Sequence, residues 1–445
     1  MTFDTSGRPR IFHIPRSGGK QGADVVRHRR WFIAFAGTGL QLCLGTVYAW
    51  SFFQNPLIAR YGWSNAKVAW AFSLAICLLG LSAAFGGILL RRVGPRILAI
   101  SGGLLFGAGY IVAAFALHVV SFPLLLAGYG LVGGTGLGLG YVTTVATVAK
   151  WFPDRKGLVT GMVVMGFGLG ALVMSKVIAP ALMRHFVGDF VSVFLVMGVL
   201  FGIVSAVLGA CMVNPPPDYA VPGAPDQTAA SASSVDEGEA FSPRALLSSR
   251  FIFMWLVFFC NILAGISMIA FQSPLIQDLW RRIDASLPDA TLATYGATLI
   301  GVSSLFNGVG RFFWGGLSDR VGRALTFRLM LGTQVVAFVL LILTNNPFFF
   351  GALICYVLLC YGGGFGTMPS FVMDTFGTKA MAPMYGAVLT AWSVAGILGP
   401  QIVAWLKDRF ADRAGLYAFG VSIGFLTAGF LLSLALRNRS ARNSG

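Results

Sequence analysis

Arg311 stands inside the apolar stretch 292–316, four residues after Asn307 in the run NGVGR. A guanidinium presents its donors as a rigid planar fork that fits a carboxylate with two parallel hydrogen bonds. Holding that charge within a bilayer costs on the order of 2.5–3.5 kcal/mol on insertion scales, so it needs a partner or a wet cavity. The 16 acidic residues fall in loops, tails or the ends of apolar stretches. The missing counter-ion is therefore read as an external carboxylate. The alternative is an anchor that snorkels to the end of its helix, about 10 Å away at 1.5 Å per residue. Asn307 shares the helix face of Arg311 one turn earlier. It either orients the guanidinium, touches the ligand, or bonds to a neighbouring helix. Tyr48 and Tyr141 can each offer a carboxylate an apolar wall and a phenolic donor. Lys176 is a second cation inside an apolar stretch, and its long stem lets it reach interfacial water.

These residues need long apolar helices to position them, and the composition supplies them. The chain has 445 residues, 56% apolar and only 11% charged, with a mean hydropathy of +0.77. A soluble domain carries about a quarter charged residues, so lipid is the expected solvent. The 57 glycines suit helices packed closely in a bilayer. GGTGLGLG at 133–140 lies within an apolar span with no strand before it, which favours helix packing over a nucleotide loop. The six cysteines form no CxxC pair and read as packing residues.

A span needs roughly 20 apolar residues. Twelve are expected, at approximately 31–53, 66–90, 96–117, 121–148, 157–182, 191–213, 251–277, 292–316, 325–344, 347–372, 383–405 and 415–436. The fold class is thus an all-α membrane protein with a basic tail (1–30), a six-helix bundle (31–213), a linker (214–250), a second bundle (251–436) and a short tail (437–445). The linker begins NPPPD and carries Asp236, Glu237 and Glu239, a flexible composition. With both termini cytoplasmic, inner segments carry 22 of the 32 Lys and Arg and outer loops carry eight, as the positive-inside rule requires. The net charge of +16 is then topological and implies no nucleic-acid partner.

The halves repeat. GILLRRVGPR at 87–96 and GLSDRVGRA at 316–324 each follow a second span of their half. Arg92, Val93 and Gly94 align with Arg320, Val321 and Gly322, and each loop needs glycine for its turn and basic groups on the inner face. Asp319 and Arg323 complete the second loop, whereas the first has Arg91 in place of the aspartate. These loops resemble the signature of the major facilitator superfamily. LCLGTVYAW (42–50), GYVTTVATVAKWFPDRKGLVTG (140–161), NGVGRFFWGGLSDRVGR (307–323), YGGGFGTMPSF (361–371) and GAVLTAWSVAGILGP (386–400) together resemble its oxalate/formate exchanger branch, related to the monocarboxylate transporters.

That resemblance implies a bacterial cytoplasmic-membrane transporter working by alternating access, with two rocking bundles around a central cavity. It makes Arg311 the carboxylate-binding residue, with Tyr48, Tyr141 and Trp392 as cavity residues and Tyr361 and Gln41 as weaker candidates. It also implies that the loop's gating salt bridge exists in one half only. Animal monocarboxylate transporters have an aspartate where this chain has Asn307, which puts an Asp-based proton relay in doubt. The oxalate transporter that gives the branch its name has a lysine three residues after the tryptophan, where this chain has Ala395. One cation suits a monoanion, so formate, lactate or pyruvate is expected over oxalate. Proton symport, through a protonated substrate or Asp374, is the alternative, and a transporter-like sensor is the alternative of another class. No nucleophile–base or metal constellation points to an enzyme or a cofactor.

Overall fold

The computed structural model describes residues 20–152, 156–216, 219, 242–377, 380–410 and 413–436. Among these, twelve helices are long and apolar enough to cross a membrane. In lipid each backbone donor and acceptor must be satisfied within its own segment, which the helix achieves. We number the spans α1 to α12. Three are segmented. α1 comprises Lys20–Gly45, a tight turn at Thr46–Ala49 and Ser51–Tyr61. α4 comprises Phe122–Leu125, a widened π segment at Leu126–Gly133 and Gly134–Trp151. α5 comprises Lys156–Val173, a π turn at Met174–Ile178 and Ala179–His185. The others are α2 (Asn65–Val93), α3 (Pro95–His118), α6 (Phe190–Ala210), α7 (Ser249–Ile283), α8 (Asp289–Val321), α9 (Arg323–Leu343), α10 (Pro347–Phe376), α11 (Met381–Phe410) and α12 (Ala414–Leu434).

Several helices run past the expected spans, among them α7 to Ile283, α8 to Val321 and α11 to Phe410, and α1 differs most. Helix α1 begins at Lys20, within the basic tail assigned to 1–30, and its outer segment runs to Tyr61, past the expected end at 53. Basic residues do not stop a helix, and Gly62 ends this one in a left-handed conformation (φ 64°) that glycine adopts freely. Most of the 214–250 linker lies outside the described residues. Its described end forms the short turn Pro243–Leu247 and the start of α7, whose first turn Ser248 caps.

The repeat seen in the loops extends to the packing. α1 packs on α5, α2 on α4 and α3 on α6; six helices later α7 packs on α11, α8 on α10 and α9 on α12. Gly94 and Gly322 close the corresponding turns at φ 85° and 91°, which explains why both loops read Arg-Val-Gly. The bundles meet along two equivalent seams, α2–α11 and α5–α8. On the face away from the termini, polar contacts join the halves. Asp408 of α11 accepts from Asn65 N (3.0 Å), Asn65 Nδ2 (2.9 Å) and Ala66 N (2.9 Å), and so caps α2 from the other bundle. Asn55 donates to Gln277 (3.1 Å), Gln401 to Ser73 (3.3 Å) and Lys176 to Thr298 (2.5 Å).

Small residues set the helix separations. A Cβ at Gly136 would meet Phe106 N at 2.4 Å and one at Gly138 would meet Leu79 O at 2.2 Å, so the glycine run of α4 is a packing surface. The α8–α10 crossing is equally close: a Cβ at Gly310 would lie 2.0 Å from Leu359 O, and one at Gly366 2.2 Å from Arg311 O. Gly366→Ala is therefore expected to cost about 1–3 kcal/mol through forced helix separation. It should lower the melting temperature in detergent, whereas Gly420→Ala, where a Cβ meets nothing within 4 Å, should leave it unchanged. Equal melting of the two variants would refute the packing argument.

Candidate substrate-binding site

The seam between the bundles is lined at mid-depth by six aromatic rings, three from each half. Tyr48 lies in the tight turn of α1. That turn forms where Gly45 presses on α5, since a Cβ there would stand 2.0 Å from Phe167 O. Tyr141 follows Gly140 on α4, and its carbonyl accepts from Gln41 Nε2 at 3.1 Å. Phe167 completes the first half, in edge contact with Tyr48 (5.0 Å) and Tyr141 (5.4 Å). From the second half come Tyr361 and Phe365, one turn apart on α10, and Trp392 on α11. Trp392 touches Phe365 at 4.6 Å, Tyr141 at 5.6 Å and Tyr48 at 6.4 Å between centroids. The Tyr48 and Tyr361 hydroxyls are 2.7 Å apart, joining the bundles directly. All six rings are buried.

Arg311 reaches this cage from α8. It is 2% exposed, and its Cζ lies 5.1 Å from the Phe365 ring centroid, a cation–π contact. None of its nitrogens Nε, Nη1 and Nη2 has a partner in hydrogen-bond geometry among the described residues. The described ion pairs lie towards the helix ends, far along the chain from this depth. Tyr141 Oη, which faces Arg311 and the buried Tyr385 of α11, and Trp392 Nε1 are also buried without a partner in hydrogen-bond geometry among the described residues. A protein interior rarely leaves so many donors unmet in one place. The unmet groups are a cation and neutral donors, a set that fits an anion acceptor. The snorkelling alternative for Arg311 does not match this burial.

The structure thus gathers Arg311, Tyr48, Tyr141 and Trp392. Asn307 is placed differently: its Oδ1 faces α10, where a Cβ at Gly362 would meet it at 2.8 Å. Tyr361, the weaker candidate, is a full wall of the cage, and Gln41 supports Tyr141 from behind. Phe167 and Phe365 gave no signal in the sequence, because a phenylalanine in an apolar helix reads the same whether it faces lipid, core or cavity. Lys176 is exposed at the seam and bonded to Thr298, away from the cage.

The loop residues form their own cluster. Arg323 pairs with Asp319 (2.6 Å) and, through Nε, with Asp374 at the end of α10 (3.0 Å), and it also donates to Ser318 Oγ. Gly322 permits the turn that brings Arg323 back to these groups, and Arg320 is exposed. In the first half Gly94 makes the same turn and Arg92 is exposed. Residues 153–155, which follow α4, lie outside the described residues, as does the side chain of Arg91.

Twelve spans in two equivalent bundles around an aromatic seam define a membrane transporter, and the chain matches the Major Facilitator Superfamily over residues 31–400. It belongs to that superfamily, whose members are transporters and not enzymes. Among its relatives is the oxalate:formate antiporter of Oxalobacter formigenes, 30% identical over 94% of each chain. Another is apicoplast pyruvate carrier 1 of Toxoplasma gondii, 28% identical over 90% of this chain and 88% of that one. Among solved structures, a bacterial homologue of the human lysosomal transporter Spinster, in an inward-facing and unoccupied conformation, has the same fold. Its TM-score is 0.65 at 17% identity, covering 94% of this chain and 98% of that one.

Proposed function

We propose that the protein is a secondary transporter of small monocarboxylates that exchanges them across a bacterial cytoplasmic membrane, both termini inside. The observation that carries this reading is the buried guanidinium of Arg311, whose nitrogens have no partner in hydrogen-bond geometry among the described residues. A carboxylate bound between Arg311, Tyr141 and Trp392 satisfies donors from both halves at once. It neutralises the charge that opposes closing the cavity, so the loaded carrier rocks and the empty one resists. With the termini inside, the Asp408 cap and its neighbours close the outer face.

The cage has one cation, and α11 offers buried Ala395 one turn from Trp392. That supports a monoanion over oxalate. The oxalate:formate relative supports exchange as the mode, and the pyruvate carrier supports a monocarboxylate. The test is a proteoliposome screen of labelled C1–C4 carboxylates, scored for counterflow and for net efflux. Counterflow of a monocarboxylate well above oxalate and well above net efflux is expected. Oxalate exchanged better than every monocarboxylate would refute the substrate, and equal counterflow and efflux would refute obligatory exchange.

A further inference from the structure

Ser304 makes an unusual connection. It is buried on α8, one turn before Gly308 and about two turns before Arg311. Its hydroxyl donates to Gly168 O (2.5 Å) and accepts from Leu172 N (3.1 Å) of α5, in the other bundle. Gly168 O and Leu172 N are four residues apart, the two ends of one helical hydrogen bond. A side chain from one half therefore reaches into the backbone ladder of a helix in the other half.

Among the glycines of the α5–α8 seam, Gly168 comes closest to the opposing helix. A Cβ at Gly168 would meet Gly308 Cα and N at 3.0 Å and Arg311 Nε at 3.5 Å. Here backbone lies on backbone, whereas side chains make the contact further out, through Lys176 and Thr298, and further in, where a Cβ at Gly161 would meet Phe312 at 3.4 Å. In a rocking motion the ends of a seam separate most and its middle least. A small hydroxyl satisfied as donor and acceptor by the opposing backbone can hold that middle in register while the ends exchange.

We propose that Ser304 is a positioning residue that pins α8 to α5 beside Arg311 and keeps the halves in register as they rock. This rests on the alternating-access carboxylate reading above. The pin differs from an ordinary packing contact in one respect. When its hydroxyl is removed, Gly168 O and Leu172 N can bond to each other, so α5 keeps its ladder and only the link between the halves is lost.

The test compares Ser304→Ala and Ser304→Thr with the intact protein, reading melting temperature, equilibrium binding of the transported monocarboxylate, and turnover in counterflow. In Ser304→Ala, turnover is expected to fall roughly tenfold, with melting unchanged and binding within about twofold. Ser304→Thr retains the hydroxyl and should restore most of the turnover. A substrate-free measurement uses spin labels at lipid-facing Val177 and Val302 on the two seam helices, with Cys77 and Cys211 replaced by serine. Their distance distribution should broaden in Ser304→Ala. Wild-type turnover with an unbroadened distribution would overturn the pin. So would turnover, binding and melting falling together, which marks a merely structural residue. If the protein carried no carboxylate, the spin-label distances would still decide the matter.

Discussion

Arg311→Lys should reduce carboxylate exchange by about ten- to a hundredfold while the protein inserts and melts as before. The lysine keeps the positive charge and discards the fork. A hydrogen bond to a charged group contributes about 1.5–3 kcal/mol, and each 1.4 kcal/mol is tenfold in affinity, so loss of one arm of a bidentate pair gives this range. The lysine also gives up the planar face that lies over the Phe365 ring. Arg311→Gln keeps a planar donor without charge and should reduce exchange to background. The two variants separate geometry from charge. Activity lost with glutamine and retained with lysine would mean that only the field of the cation matters, and the bidentate site would be wrong.

Ala395→Lys is the second large effect, and it is a gain. Ala395 is fully buried on α11, one turn from Trp392, which contacts Phe365 and through it Arg311. A cation introduced there would give the cage a second positive charge, the arrangement that suits a dianion. Oxalate exchange should rise at least about tenfold from its level in the unaltered protein. Exchange of a monoanion should fall, because an ammonium left unpaired in a desolvated site is costly. The measurement is competitive counterflow with both anions present. An unchanged preference, with the variant correctly inserted, would show that the number of cations does not set selectivity here.

What could be read in the sequence and what could not divide along physical lines. Arg311 was legible because a charge in an apolar stretch has few explanations, and burial with unmet nitrogens is the one observed. The paired Arg-Val-Gly loops were legible because the turn needs a left-handed residue, which Gly94 and Gly322 supply. Tyr48 and Tyr141 stood out through polar handles on apolar helices, and Trp392 only through the family resemblance. Phe167 and Phe365 did not, since nothing in an all-apolar segment reports which way a phenyl ring faces. Asn307 had three readings in the sequence, and spacing alone did not choose among them. Helical spacing puts it on the face of Arg311, and the glycines of α10 bring that helix against its Oδ1, which is buried without a hydrogen bond among the described residues. The tight turn that presents Tyr48 also escaped notice, because it arises from the contact of Gly45 with α5, a tertiary event with no local signature. The hydroxyl of Ser304 was equally silent. A serine in a membrane helix usually bonds to its own backbone, as Ser267 does with Leu263 O at 2.7 Å.

The central claim is that the transported carboxylate is the counter-ion Arg311 lacks. A structure of the protein with the best-transported monocarboxylate bound tests it most directly. Both carboxylate oxygens should lie about 2.7–2.9 Å from guanidinium nitrogens of Arg311, within the ring of Tyr48, Tyr141, Tyr361 and Trp392. A carboxylate bound elsewhere, with Arg311 turned to an acidic side chain or to the membrane surface, would contradict it.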